Sequence, residues 1–107
     1  MQHKIYLMRC VINDETFYKI GRTKKSVRSR INELQTGNPA PIEYIYEFET
    51  KNPHLLESSL HNYFSQYRVK GEWFSSELSI KKFKEYCDSI EKNLNQLFNN
   101  KHDLPLL

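Results

Sequence analysis

Two short apolar runs, KIYLMRCVI from Lys4 to Ile12 and FYKIG from Phe17 to Gly21, are separated only by the polar NDET of Asn13 to Thr16. A link this short joins antiparallel strands and leaves no room for the crossover that parallel strands need. The chain therefore opens with a β-hairpin, and Gly21 is expected to free the backbone for a turn at its end. The second run leads into a segment of unusual charge. The stretch FYKIGRTKKSVRSR, Phe17 to Arg30, carries six basic side chains and no acidic one. Like charges repel, so this concentration at a strand-to-helix turn implies a negative partner.

The remaining elements can be read from periodicity and punctuation. Ser26 is placed to cap a helix running to about Thr36, with Gly37 past its end and Val27, Ile31 and Leu34 as its apolar stripe. Asn38-Pro39-Ala40-Pro41 breaks the chain before a third strand, Ile42 to Phe48. Asn52-Pro53 starts a second helix, expected to reach about Tyr67 and to bury Leu56, Leu60, Tyr63, Phe64 and Tyr67. Gly71-Glu72-Trp73-Phe74 reads as a short extended segment. In the long helix after Ser75-Ser76, Ile80, Phe83, Cys87, Ile90, Leu94 and Leu97 alternate spacings of three and four. That seam is read as packing on the sheet, with a homodimer through the 80–98 helix as its alternative use.

At 107 residues the chain has the length of one domain. We divide it into a sheet-bearing unit over 1–78, a C-terminal helix packed on that unit over 79–99, and a loose tail over 100–107. The net charge of +3 is modest, so it is the clustering of basic residues, not their total, that points to nucleic acid. Cys10 and Cys87 are far apart and belong to no CxxC pattern, which argues against a disulfide framework or zinc site. No stretch has membrane-spanning length, and the start lacks the apolar core of a signal peptide. A cytoplasmic, intracellular location is expected, or the nucleus of a host cell, and no membrane partner.

In this order of elements the chain resembles the GIY-YIG nuclease superfamily, and in particular a phage- and virus-associated branch. The resemblance rests on Lys19-Ile20-Gly21-Arg22-Thr23, on Arg30 to Pro39 (RINELQTGNP), on Glu57 to His61 (ESSLH) and on Gly71 to Phe74 (GEWF). It covers about residues 4–78. It implies an α/β (α+β) fold, a small three-stranded antiparallel sheet flanked by helices, and cleavage of DNA phosphodiester bonds with one Mg²⁺ or Mn²⁺. By the resemblance Tyr6 lines the site, Arg30 contacts the scissile phosphate and Glu57 holds the metal. Two positions depart from the pattern. The first motif reads KIY, and Lys19 stands where the second has tyrosine. Tyr18 is one residue early, hence on the opposite face of the strand, and cannot take its place.

The chemistry is consistent with these residue types. Arg30 and Lys19 suit the charge on phosphoryl oxygens, and a single carboxylate suffices for Mg²⁺, which keeps most of its waters. Tyr6, assisted by Lys19, is the favoured base, its pKa expected to be pushed down by the surrounding cations; His61 is the competing candidate. Arg22, Lys24, Lys25 and Arg28 are assigned to flanking phosphates of DNA, or of RNA, and Glu72 to orienting a cation of the site.

Each assignment has a plainer alternative. Arg30 would be a surface arginine paired with Glu33, and Glu57 and Lys19 solvated charges. Tyr6 would be sheet packing, His61 an N–H donor on a packed helix, and Glu72 half of a structural ion pair. Lys24, Lys25 and Arg28 would be no more than solvated charges. Tyr18, Trp73 and Phe74 are read as core. The alternative function is a nucleic-acid-binding module that uses the basic turn 19–30 without cutting.

Overall fold

The computed structural model describes residues 3–99; the tail expected over 100–107 lies outside them. Strands β1 (His3–Ile12) and β2 (Glu15–Thr23) form the opening hairpin, with Ile12 paired to Glu15. Only Asn13 and Asp14 make the turn, both in the left-handed region at φ 51° and 66°. Asn and Asp tolerate that region better than other side chains, and such a turn matches the twist of the strands it joins. Helix α1 (Val27–Gln35) starts at Ser26, whose hydroxyl accepts from the Ser29 N–H, and Gly37 lies past its end at φ 81°. Strand β3 (Ile42–Thr50) returns along the free side of β1.

Helix α2 (Pro53–Tyr63) is shorter than its apolar pattern predicts. It gives way to one 3₁₀ turn, Ser65–Tyr67, so Leu56, Leu60 and Phe64 are buried while Tyr63 is exposed and Tyr67 only half-buried. Strands β4 (Arg68–Lys70) and β5 (Trp73–Ser75) then form a hairpin around Gly71, at φ 56°. Helix α3 spans Ile80–Asn99.

The sheet has five antiparallel strands in the order β3-β1-β2-β5-β4, not the three expected. At three residues each, β4 and β5 are too short for alternation to show in sequence. Pairing makes them strands: β5 docks on β2, with Tyr18 opposite Phe74 and Lys19 opposite Trp73, and β4 folds back on β5.

Alternation along β1 builds two cores. Ile5 and Leu7 join Tyr18, Ile20 and Phe74 under α2 and α3. Tyr6 and Met8 face α1, with Val27, Ile31, Leu34 and Ile42. The seam of α3 packs on the larger core from Ile80 to Leu94, as the sheet-packing reading expects, whereas Leu97 is 46% exposed. Both cysteines are free and buried.

Candidate functional site

The register of the first hairpin sets Tyr6 across from Gly21. The tyrosine ring lies over the glycine so closely that a Cβ there would collide with its hydroxyl and Cζ. Gly21 is thus a strand residue that makes room for an aromatic ring, and not the turn expected from sequence. Tyr6 is almost fully buried, and burial raises its pKa from the usual value, opposed by the adjacent Arg30 guanidinium. This overturns the expectation that the basic cluster lowers it: removal from water outweighs one neighbouring cation.

Arg30 reaches Tyr6 from α1 on the same face. The Tyr6 hydroxyl, and after it Glu33, favours the charged guanidinium. Arg30 NH1 is 3.3 Å from Glu33 Oε2, the ion pair of the plainer alternative, while its Nε is buried without a hydrogen-bond partner among the described residues. Lys19 shares the face with Tyr6, opposite Met8 and Trp73. It is only 9% exposed, with Nζ 3.0 Å from Glu72 Oε1 and 5.2 Å from the centre of the Trp73 ring. Tyr18 points into the larger core, as strand alternation requires.

From the other face α2 supplies Glu57 and His61, one turn apart. They meet the sheet where β5 stops covering β2: the last link is the Ile20 N–H donating to the Glu72 carbonyl at 3.1 Å. Glu57 Oε1 accepts from Arg22 Nε at 3.0 Å. Its Oε2 is buried, has no hydrogen-bond partner among the described residues and lies 3.9 Å from His61 Nε2. His61 Nε2 is 3.0 Å from the Ile20 carbonyl, and Arg68 stands 3.0 Å from Nδ1. A carbonyl accepts and a guanidinium donates, so in these contacts Nε2 is placed to donate to Ile20 and Nδ1 to accept from Arg68. Glu57, His61 and Glu72 each offer a ligand atom, all within 4.8 Å of one another. These residues with Ser58, Asn62 and Arg68 line an open cleft of about 340 Å³.

Glu72 joins the two groups. Its carboxylate pairs with Lys19 on one side and approaches Glu57 and His61 on the other, and Tyr6 feels the charge of both carboxylates. The outer basic residues are dispersed. Lys25 Nζ is 2.6 Å from Glu33 Oε1, and Lys24 and Arg28 are exposed, with no carboxylate partner among the described residues. Part of the unbalanced charge read from Phe17–Arg30 is thus met by acids from other elements: Glu72, Glu57 and Glu33. Arg22, assigned to flanking phosphate, is engaged with Glu57, because both emerge where β5 leaves β2 uncovered. Sequence reasoning missed Arg68, whose place beside His61 depends on a strand too short to foresee.

No curated protein and no solved structure matches the chain at a significant level. Residues 4–91 match the family model described as T5orf172 domain, a span that takes in the sheet, α1, α2 and more than half of α3. The chain belongs to the T5orf172 domain family.

Proposed function

We propose that this chain is a divalent-metal-dependent endonuclease domain of GIY-YIG type, acting on DNA phosphodiester bonds. The family is a phage-associated domain grouped with GIY-YIG- and HNH-like endonucleases, which supports a nuclease or DNA-binding role. One observation carries the finer reading. Glu57 Oε2 is a buried carboxylate oxygen without a hydrogen-bond partner among the described residues, and Glu57, His61 and Glu72 each offer a ligand atom within 4.8 Å of the others. A buried acceptor without a partner is costly, and a hard cation satisfies it. The donor set therefore fits Mg²⁺ or Mn²⁺, held by Glu57 with Glu72 in support. Such an ion would offset charge on the phosphate and on the leaving oxygen.

The chain's own residues do the rest. Lys19 and Arg30, on one face of β2 and α1, bind the phosphoryl oxygens. Tyr6, kept protonated by burial, accepts from the Arg30 guanidinium through its hydroxyl oxygen and so holds it in place. It does not act as the base. His61 is placed to receive a proton at Nδ1 once Arg68 releases that nitrogen for a substrate phosphate.

A second reading has its own support. Arg22 already balances Glu57, and both nitrogens of His61 are engaged, as in a module that grips nucleic acid without cutting. Supercoiled plasmid nicking separates the two. With Mg²⁺ or Mn²⁺ the protein nicks and the near-isosteric Glu57→Gln variant is at least about 100-fold slower, the scale of losing a positioned catalytic charge. Equal, background-level nicking by both proteins with DNA binding intact would establish the binding module instead.

A further inference from the structure

Helix α1 covers only part of its face of the sheet. It packs over Tyr6, Met8 and Ile42, on the β1 and β3 side. Toward β2, β5 and β4 on the same face, Cys10, Phe17 and Trp73 enclose a mostly apolar pocket of about 250 Å³. That is below the roughly 300–1,000 Å³ of sites for drug-sized molecules, so it suits a single ring system.

Its boundaries are specific. Ile12 and Val69 form an apolar rim, both substantially exposed. Asn38 and Lys70 are the polar members, and no acidic side chain lines the pocket. Asn38 Oδ1 accepts from the Ala40 N–H at 3.1 Å, which leaves its amide N–H groups to donate to a ligand. Trp73 is shared between this pocket and the candidate site, because Lys19 Nζ sits over its ring. At the other end, Phe17 and Val69 also border a cavity lined by Asp14 and Glu15, whose carboxylates repel phosphate. An anionic strand leaving the pocket is therefore directed toward Lys19 and Arg30.

We propose that this pocket holds one unpaired nucleobase, stacked on Trp73 and Phe17, with its backbone running to Lys19. The substrate class is then a strand with unstacked bases, either single-stranded DNA or a duplex with a displaced end, and not an intact duplex. Aromatic stacking recognises any base by its π-face, so the pocket selects for unpaired structure and not for sequence. The inference rests on the proposed nucleic-acid function and adds to it where the strand enters.

Trp73 is the sole tryptophan, so its emission reports on the pocket directly. The protein is titrated in EDTA and low salt with a ten-residue thymidine strand and with an abasic strand of equal length. The thymidine strand should quench Trp73 and bind about tenfold more tightly than the abasic one, the scale of one lost stack. Phe17→Leu, which keeps an apolar side chain, should bring thymidine affinity down toward the abasic value and leave abasic binding unchanged. Equal affinity for both strands, or thymidine binding without a change in emission, would overturn the pocket and spare the phosphate site. Failure of both strands to bind would overturn the two together. Emission that shifts with protein concentration alone would show that a second copy of the chain covers Trp73, and would also defeat the proposal.

Discussion

At the scale of single residues, the contact that shapes the site most is the one between Tyr6 and Gly21. The motif around Gly21 was legible in sequence, but its reason was not, because only the hairpin register shows which side chain crosses the glycine. Gly21→Ala should cost about 1–3 kcal/mol in urea denaturation, as overpacking does. Combined with Tyr6→Ala it should cost clearly less than the sum of the two single changes. Simple additivity would mean that the ring does not occupy that space. Cys87 offers a second test. Its buried thiol is pushed up to about 12 from an ordinary 9.0. A raised folded-state pKa gives stability that is complete below the unfolded value and is lost as pH rises toward the folded one. Between pH 9 and 12 the parent protein should lose about 1.4 kcal/mol per pH unit more than Cys87→Ala. Parallel stability curves would contradict this burial.

Among the elements, α3 shows where periodicity succeeds and where it stops. Its spacing of Ile80, Phe83, Cys87, Ile90 and Leu94 gave the packing face correctly. It gave no hint of Glu91, a buried carboxylate on that helix. Glu91 accepts from the Thr50 hydroxyl at 2.6 Å, the Lys51 N–H at 3.0 Å and Asn52 Nδ2 at 3.1 Å. Asn52 stands at the cap position of α2 but makes no capping bond with its side chain, which donates to Glu91 and Asn95 instead. A tie between residues some forty positions apart leaves no local signature. Glu91→Ala strands these donors and should destabilise the protein by at least about 3 kcal/mol, since bonds to a charged group are worth about 1.5–3 kcal/mol each. A loss under 1 kcal/mol in urea midpoints would show that α3 is held by its apolar face alone. The β4–β5 hairpin escaped for the opposite reason: its partners are near, but its strands are too short to carry a pattern.

Over the whole molecule, the chain has gathered charge of both signs around one uncovered sheet edge. Acids from α1, α2 and the β4–β5 turn meet cations of β2 and α1 there. Among the described residues, no helix is long and apolar enough to cross a membrane. Among the described residues the exposed Lys24 and Arg28 have no carboxylate partner, which suits them to backbone phosphates. Removing both should make the plot of log affinity against log salt shallower by about two for DNA binding, one unit per lost phosphate contact. An unchanged slope would exclude them from the interface. The candidate site was legible as residue types in order, while its layout across two sheet faces, bridged by Glu72, needed the fold. The central claim is that the free oxygen of Glu57 belongs to a metal ion. Mn²⁺ binding, measured by electron paramagnetic resonance on the full chain without DNA, tests it most directly. The parent protein should bind a single ion, with affinity at least about tenfold weaker in Glu57→Gln and the fold unchanged by circular dichroism. Equal Mn²⁺ affinity in the two proteins, or no binding in either, would contradict the claim.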